Sequence, residues 1–228
     1  MKNSTKKILI SHSSNDHYGA SKVLINIIDV FIKNGFEIFL FLPVKGPLNN
    51  NEVVKKTNLK IINLGVFRKK YFTFFGLINR LYFIIKSSLY IKKFLKRNQI
   101  DLVYTNTSTL ISPSIAAKFT GTPSNFHIHE IPNGNPIYIK FITAFVNVFS
   151  KEIICVSKSV YDFWIKNGLK KSESHWKDGK ENGPEVLWHQ NGEKKSERMW
   201  EDGKVVEGST KFWNWKGYPV NSFKEATK

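Results

Sequence analysis

A chain of 228 residues with 41% hydrophobic and 23% charged residues is long enough for one ordinary domain and a small second one, and this composition excludes a disordered or fibrous protein. A single cysteine, Cys155, excludes an internal disulfide framework and points to a reducing, cytoplasmic setting; the start MKNSTKKILISHSS holds too short an apolar run for a signal peptide. The net charge of +17 is uneven: residues 1–170 carry 24 Lys and Arg against 8 Asp and Glu, and residues 171–228 carry 11 against 10.

In chain order, KKILISH predicts a strand, SSNDHYGA a polar loop, and SKVLINIIDVFIKNG a helix with apolar residues at helical spacing and a closing glycine. FEIFLFLP and LKIINLG predict two more strands, ended by Pro43 and Gly65. The basic aromatic stretch FRKKYFTFFGLINRLYFIIKSSLYIKKFLKRNQ reads as a long helix on which Lys86, Lys93 and Arg97 fall close together beside Phe83, Tyr90 and Phe94. Arg80 and Lys86 interrupt the apolar run from Phe72 to Ile91, so a membrane-spanning helix is disfavoured. Two readings stay open: a basic helix lying on an anionic membrane surface, and a helix that covers the sheet with its lysines solvated.

IDLVYTN, SNFHIHE and KEIICVS predict three further strands, separated by the helical stretches STLISPSIAAKFTG and IYIKFITAFVNVFS. Nearly all-apolar strands alternating with helices imply an α/β fold, a Rossmann-like parallel sheet with helices on both faces. Ligands collect beyond the carboxyl ends of such strands, which shortlists His12 to Gly19, Asn106, His129 with Glu130, and Ser157 with Lys158. One glycine, Gly19, in place of three disfavours a dinucleotide-binding dehydrogenase; a simple turn before the helix remains open for it.

In HIHE, His127 and His129 face one side of a strand and Glu130 the other, with no third ligand in sight, so no metal is expected. His12 and His17 read as solvated or substrate-facing, and Cys155 as a buried, inert thiol within its strand. No helix-turn-helix, zinc-finger or ribonucleoprotein pattern accompanies the basic charge, so no specific nucleic-acid partner is expected.

The order YGASKVLINIIDVFIKNGFEIFLFLPVKGPL, DLVYTNTSTLISPSIAAK, PSNFHIHEIP and EIICVSKSVYDFW resembles the amino-terminal, acceptor-binding half of a family 4 glycosyltransferase of the two-domain GT-B fold, over about residues 6–168. The resemblance implies that Gly19, flanked by Tyr18 and Ala20, faces the donor phosphates. It places His129 near the reacting sugar as the catalytic candidate, and Glu130, Ser157 and Lys158 beside the substrate cleft. It implies a nucleotide sugar as co-substrate with no other cofactor, and a glycan or lipid-linked acceptor of the bacterial cell envelope. The family's second Rossmann-like domain supplies the cations that hold the diphosphate. Residues 169–228 show no βαβ pattern, so the chain is expected to lack that half and to be inactive alone.

Those last residues carry a different signal. HWKDGK, LWHQNGEK, MWEDGK and FWNWKGY place Trp176, Trp188, Trp200 and Trp213 at a near-constant spacing, each followed by a glycine: Gly179, Gly192, Gly203 and Gly217. Asp-Gly and Asn-Gly between short strands predict β-hairpins, and the tryptophans are expected to form their shared core. This segment resembles MORN-like repeats, over about residues 171–217. The expected domains are therefore 1–170, glycosyltransferase-like, and 171–228, β-hairpin repeats. The expected activity is sugar transfer, with a protein partner supplying the donor half or binding the repeats, in the cytoplasm or peripherally at the inner membrane face. The competing expectation is a non-catalytic interaction module or gene-fusion product acting through its repeats.

Overall fold

Strands apolar on both faces have to be covered on both faces, and the chain meets this demand with one sheet and two helical layers. The computed structural model describes residues 5–68, 71, 73–132, 136–168, 172–173, 176–177, 180–189 and 193–227. Strands β1 (Lys7–Ser11), β2 (Glu37–Leu42), β3 (Asn58–Ile61), β4 (Leu102–Thr105), β5 (Ser124–Ile128) and β6 (Glu152–Cys155) pair in parallel in the order β3-β2-β1-β4-β5-β6. Each falls on a segment that the sequence marks as a strand, β3 starting one residue before LKIINLG. The order reverses between β1 and β4, so the crevice for ligands opens at the carboxyl ends of these two strands.

Alternation along each strand divides the core. Ile8 and Ile10 point to one face, where they meet Leu24 and Ile28 of helix α1 (Gly19–Lys33) together with Ile38, Leu40 and Leu42. Leu9, Phe39, Phe41 and Val103 point to the other, and α3 (Phe74–Asn98) and α4 (Ser112–Thr120) cover them with Ile91, Phe94, Leu95, Ala116 and Ala117. Burying each such side chain stabilises the fold by roughly 1.5–3 kcal/mol. Between these helices lie a 3-10 turn (Pro47–Asn50) and the short α2 (Glu52–Lys55), whose first turn is capped by the Asn51 side chain. The unit is completed by α5 (Pro136–Phe149), which buries Ile139, Ile142 and Val146.

Three local features depart from expectation. Cys155 closes β6 rather than lying within a buried strand; β6 is an edge strand, and its neighbours Ile154 and Val156 are exposed. Burial still pushes the thiol up to about 11, so it stays protonated at neutral pH. His12, expected to be solvated or substrate-facing, is not solvated: it is buried just past β1, its amide donating to the Phe41 carbonyl. On α3, Phe94 belongs to the core, while Tyr90 is exposed, as are Phe74, Ile78, Leu81, Ile85 and Leu89 among others.

The chain divides into two compact units, Met1–Tyr161 and Asp162–Lys228, with the helix α6 (Lys158–Lys166) crossing the division. In the second unit β7 (Ser172–Glu173), β10 (Gly183–Trp188), β11 (Lys194–Glu201), β12 (Lys204–Val205), β13 (Lys211–Trp213) and β14 (Pro219–Val220) form an antiparallel sheet, followed by the short α7 (Phe223–Ala226). A separate pair joins β8 (Trp176–Lys177) to β9 (Lys180–Glu181). At Asp202-Gly203 both residues adopt positive φ, 47° and 81°, and Glu201 pairs with Lys204 across the turn, the geometry that an Asp-Gly hairpin requires. The turn glycines Gly179 and Gly192, and the Trp176 side chain, lie outside the described residues.

The described tryptophans of residues 171–228 are less buried than a shared core would make them. Trp188, Trp200 and Trp213 are only half-buried and Trp215 is exposed, while Val186, Ser196 and Ala226 are buried. Cations cover the rings instead: the Arg198 guanidinium lies 4.7 Å from the Trp200 ring and the Lys194 ammonium 5.1 Å from the Trp213 ring.

Candidate functional site

At the reversal point the ends of β1, β4 and β5 and the start of α1 are tied together by one asparagine. Asn106, just past β4 and fully buried, donates from Nδ2 to the Ala20 carbonyl at 3.2 Å. This leaves Oδ1 as an acceptor, and it takes a hydrogen bond from His129 Nε2 at 2.9 Å. His129 therefore carries its proton on Nε2, and Nδ1 is its acceptor nitrogen. The Asn106 backbone carbonyl accepts from His12 Nδ1 at 3.2 Å, and His12 Nε2 lies 3.2 Å from both Ser14 and Ser21. Ser21 donates its hydroxyl to Asp16 at 2.7 Å. A continuous polar chain thus runs from Asp16 through Ser21, His12 and Asn106 to His129.

Electrostatics keeps the imidazoles neutral. Burial lowers His12, against the opposing pull of the Asn106 carbonyl and Asp16. Burial lowers His127 to about 4; it also lowers His129 to about 4, helped by the positive charge that His127 and His12 would carry. The His127 and His129 rings are 4.3 Å apart, and the Tyr104 hydroxyl lies 2.7 Å from His127 Nδ1. Burial pushes the Asp16 carboxyl up, but hydrogen bonds from Ser21, the Tyr18 amide and Ser14 outweigh it and leave the group below its usual value. At neutral pH the site offers a neutral histidine acceptor and very little imidazolium. With Nε2 engaged by Asn106, a neutral His129 can accept a hydrogen bond at Nδ1 and has no proton to give up there.

The sequence-chosen residues fall into separate roles. Tyr18 is the N-cap residue of α1 and is exposed, and Gly19 opens the helix where an added Cβ would meet nothing within 4 Å. The Ser21 and Lys22 amides both bond the Tyr18 carbonyl, so the Gly19 and Ala20 amides precede the helix's own hydrogen bonds. Glu130 turns inward: Thr107 Oγ1 donates to Oε1, and the amides of Ser108 and His129 approach the carboxylate at 3.2 and 3.0 Å. It orders the loop after β4. Ser157 caps α6 by accepting from the Val160 amide at 3.3 Å, and Lys158 is exposed on the helix's first turn. Lys86, Lys93 and Arg97 all lie on exposed positions of α3. Among the described residues no three His, Cys, Asp or Glu side chains are arranged to hold a metal ion.

The shortlist of residues past the strands reached Asp16, within His12 to Gly19, but not Ser21 or Tyr104. Ser21 sits in the first turn of α1, where it meets Asp16 and His12, and Tyr104 meets His127 on the neighbouring strand; no local pattern marks either contact.

In the same unit, α3, α4 and α5 leave an open apolar groove of about 710 Å³, with Phe67, Leu81, Ile85, Phe119, Phe141 and Phe145 among its walls. Lys92 closes one side, its ammonium 5.5 Å from the Phe119 ring. Among the described residues no helix is long and apolar enough to cross a membrane.

Against known families, residues 18–175 match the model of glycosyltransferase family 4. The chain belongs to glycosyltransferase family 4. A curated relative, the UDP-N-acetylglucosamine--N-acetylmuramyl-(pentapeptide) pyrophosphoryl-undecaprenol N-acetylglucosamine transferase of Prochlorococcus marinus, is 32% identical over 108 residues, which cover 46% of this chain and 29% of the relative. Among solved structures, a glycosyltransferase from Rickettsia africae is similar at a TM-score of 0.54 and 18% identity, covering 71% of this chain and 40% of its own. MurG of Acinetobacter baumannii is similar at 0.50 and 14%, covering 68% and 42%. At these identities the structures share the fold alone. This family 4 chain spans less than half the length of each of the three.

Proposed function

We propose that residues 1–170 are the acceptor-binding half of a nucleotide-sugar-dependent glycosyltransferase that acts on a glycan or lipid-linked acceptor of the cell envelope. The observation that carries this reading is the Asn106-centred network, which presents a neutral His129 where the strand order reverses. In this reading the amides of Gly19 and Ala20, beside Tyr18, receive the donor phosphate. His129 Nδ1 accepts a hydrogen bond from a sugar or acceptor hydroxyl, Glu130 positions the loop around it, and Ser157 and Lys158 border the cleft. No metal or cofactor is called for beyond the nucleotide sugar.

The described strands within residues 172–220 pair antiparallel, so in this reading an α/β donor half comes from outside residues 1–228, and turnover by this chain alone is expected to be absent or very slow. Calorimetry with a panel of nucleotide sugars, with and without a separately encoded donor domain, tests this. Heat of binding that His129→Ala diminishes supports it, and no heat with any donor in either setting sinks it.

The same reading places the chain on the cytoplasmic side of a membrane. Exposed Leu81, Ile85 and Leu89 run along α3 next to the exposed Lys86, Lys93 and Arg97, the arrangement of a helix that rests on anionic lipid. Flotation with anionic liposomes should be lost when the three cations are changed to glutamate; unchanged flotation removes the helix from the account.

For residues 171–217 we propose MORN-like hairpin repeats that bind a partner protein. The exposed Trp215 and Tyr218 and the Asp202-Gly203 hairpin favour this. It also keeps alive a second reading of the whole chain, a non-catalytic interaction protein, which gains if the calorimetry above is silent.

A further inference from the structure

A second, polar cleft of about 350 Å³ lies past the carboxyl ends of β1 and β2, with Ser13, Asn15, Asn63, Arg68, Tyr71 and Arg80 among its walls. Its floor is rigid. Asn15 donates to the Val44 carbonyl at 2.9 Å and to Asn49 Oδ1 at 2.6 Å, and accepts from the Leu48 amide at 2.8 Å. A Cβ at Gly46 would overlap Asn15, so the two loops close on each other only through a glycine.

Neither Arg68 nor Arg80 forms an ion pair with a carboxylate among the described residues. Arg68 spends one donor, Nη2, on the Ser13 carbonyl at 3.2 Å. Arg80 stacks 4.1 Å from the Tyr71 ring centre and gives Nη2 to Asn79 at 2.6 Å, while its Nε is buried with no hydrogen-bond partner among the described residues. A buried guanidinium donor without a partner is costly, and an oxyanion that accepts from both guanidinium groups would remove the cost. Stacking on Tyr71 also fixes the plane of the fork, which suits a tetrahedral or planar oxyanion better than a mobile ammonium would.

The cleft adjoins the apolar groove. Phe67 lines the groove while its neighbours Val66 and Arg68 line the cleft, and on α3 Leu77 and Leu81 line the groove on either side of Arg80. We propose that the Arg68–Arg80 cleft binds a phosphate group of the acceptor, separate from the His129 site. The proposal rests on the acceptor-binding reading above. Phosphate is the shared chemistry of two sources, a lipid-linked phosphate whose chain lies in the groove and a soluble phosphorylated sugar.

Calorimetry on the full chain with pyrophosphate, farnesyl diphosphate and farnesol tests it. Both phosphorylated probes should bind and farnesol should not. Arg68→Gln and Arg80→Gln should each weaken binding about tenfold, the double variant should bind neither probe, and the exposed Lys33→Gln should change nothing. Farnesyl diphosphate binding tighter than pyrophosphate, with the gap narrowed by Leu81→Ser, assigns the site to a lipid phosphate; equal affinities assign it to a soluble one. If Arg80→Gln lowers the melting temperature, the exposed Arg68→Gln alone decides the matter. Wild-type protein that binds neither phosphorylated probe, or a folded Arg68→Gln variant that binds them unchanged, overturns the proposal. Phosphate binding lost on arginine substitution, with no nucleotide-sugar binding and no sugar transfer even when a donor domain is supplied, would spare this site while sinking the transferase reading. Transfer with a KM unchanged by both substitutions would do the reverse.

Discussion

In the α/β unit, polar side chains are buried and paired between residues as far as 94 positions apart; in the antiparallel unit, the largest side chains lie half-exposed against cations. The difference follows from layering. A parallel sheet covered on both faces excludes water from the ends of its central strands, so His12 and Asn106 hold each other in fixed geometry. An antiparallel sheet of short strands buries little, and its tryptophans gain from the stems and charges of Arg198 and Lys194 what they lack in packing. The first unit can therefore pre-organise a reaction site, and the second is suited to presenting a surface.

The largest expected effect contrasts the two cores. Phe41→Ala, in the fully buried layer under α3, should cost about 3–5 kcal/mol in urea unfolding, whereas Val186→Ala in the antiparallel sheet should cost about 1–2 kcal/mol. Equal costs would mean that the second unit is packed as tightly as the first. Asn106→Ala comes next. It strips the Ala20 carbonyl and His129 Nε2 of their partner and should cost about 2 kcal/mol, with a further loss of any ligand binding at His129.

Titration sharpens the same contrast. His127 and His129 are lowered to about 4 when folded, against an unfolded value of 6.5. The unfolded chain therefore takes up protons first as pH falls. Stability is fully present above about pH 6.5 and is lost as pH drops toward 4, by roughly 1–3 kcal/mol for the pair after allowance for solvent screening. His127→Gln should flatten this slope; a slope that persists unchanged would place its origin elsewhere. The smallest effect belongs to the hairpins: Gly203→Ala, at φ 81°, should cost about 1 kcal/mol, seen as a lower urea midpoint.

All six parallel strands were legible as apolar runs bounded by turn residues, and the family resemblance rested on the same segments. The network was only half legible. His129, Asn106 and His12 stood on the shortlist because they end strands, but nothing local shows that Asn106 bonds Ala20 or that His12 is buried. Those facts come from strand order, which brings β1 beside β4. Glu130 and Ser157 stood on the same list because they follow β5 and β6, yet their side chains are used on Thr107 and the Ser108 amide and on the Val160 amide. The aromatic period of the second unit was equally visible, but period alone does not say how much of each ring is covered. The stems of neighbouring cations decide that.

The account turns on Asn106 presenting a neutral His129 at the point where the strand order reverses. Nitrogen NMR of the histidine side chains across pH 3.5–8 measures this directly. The account predicts that His129 carries its proton on Nε2 and titrates at about 4. A His129 that titrates near 6.5, or that carries its proton on Nδ1 at neutral pH, would contradict it.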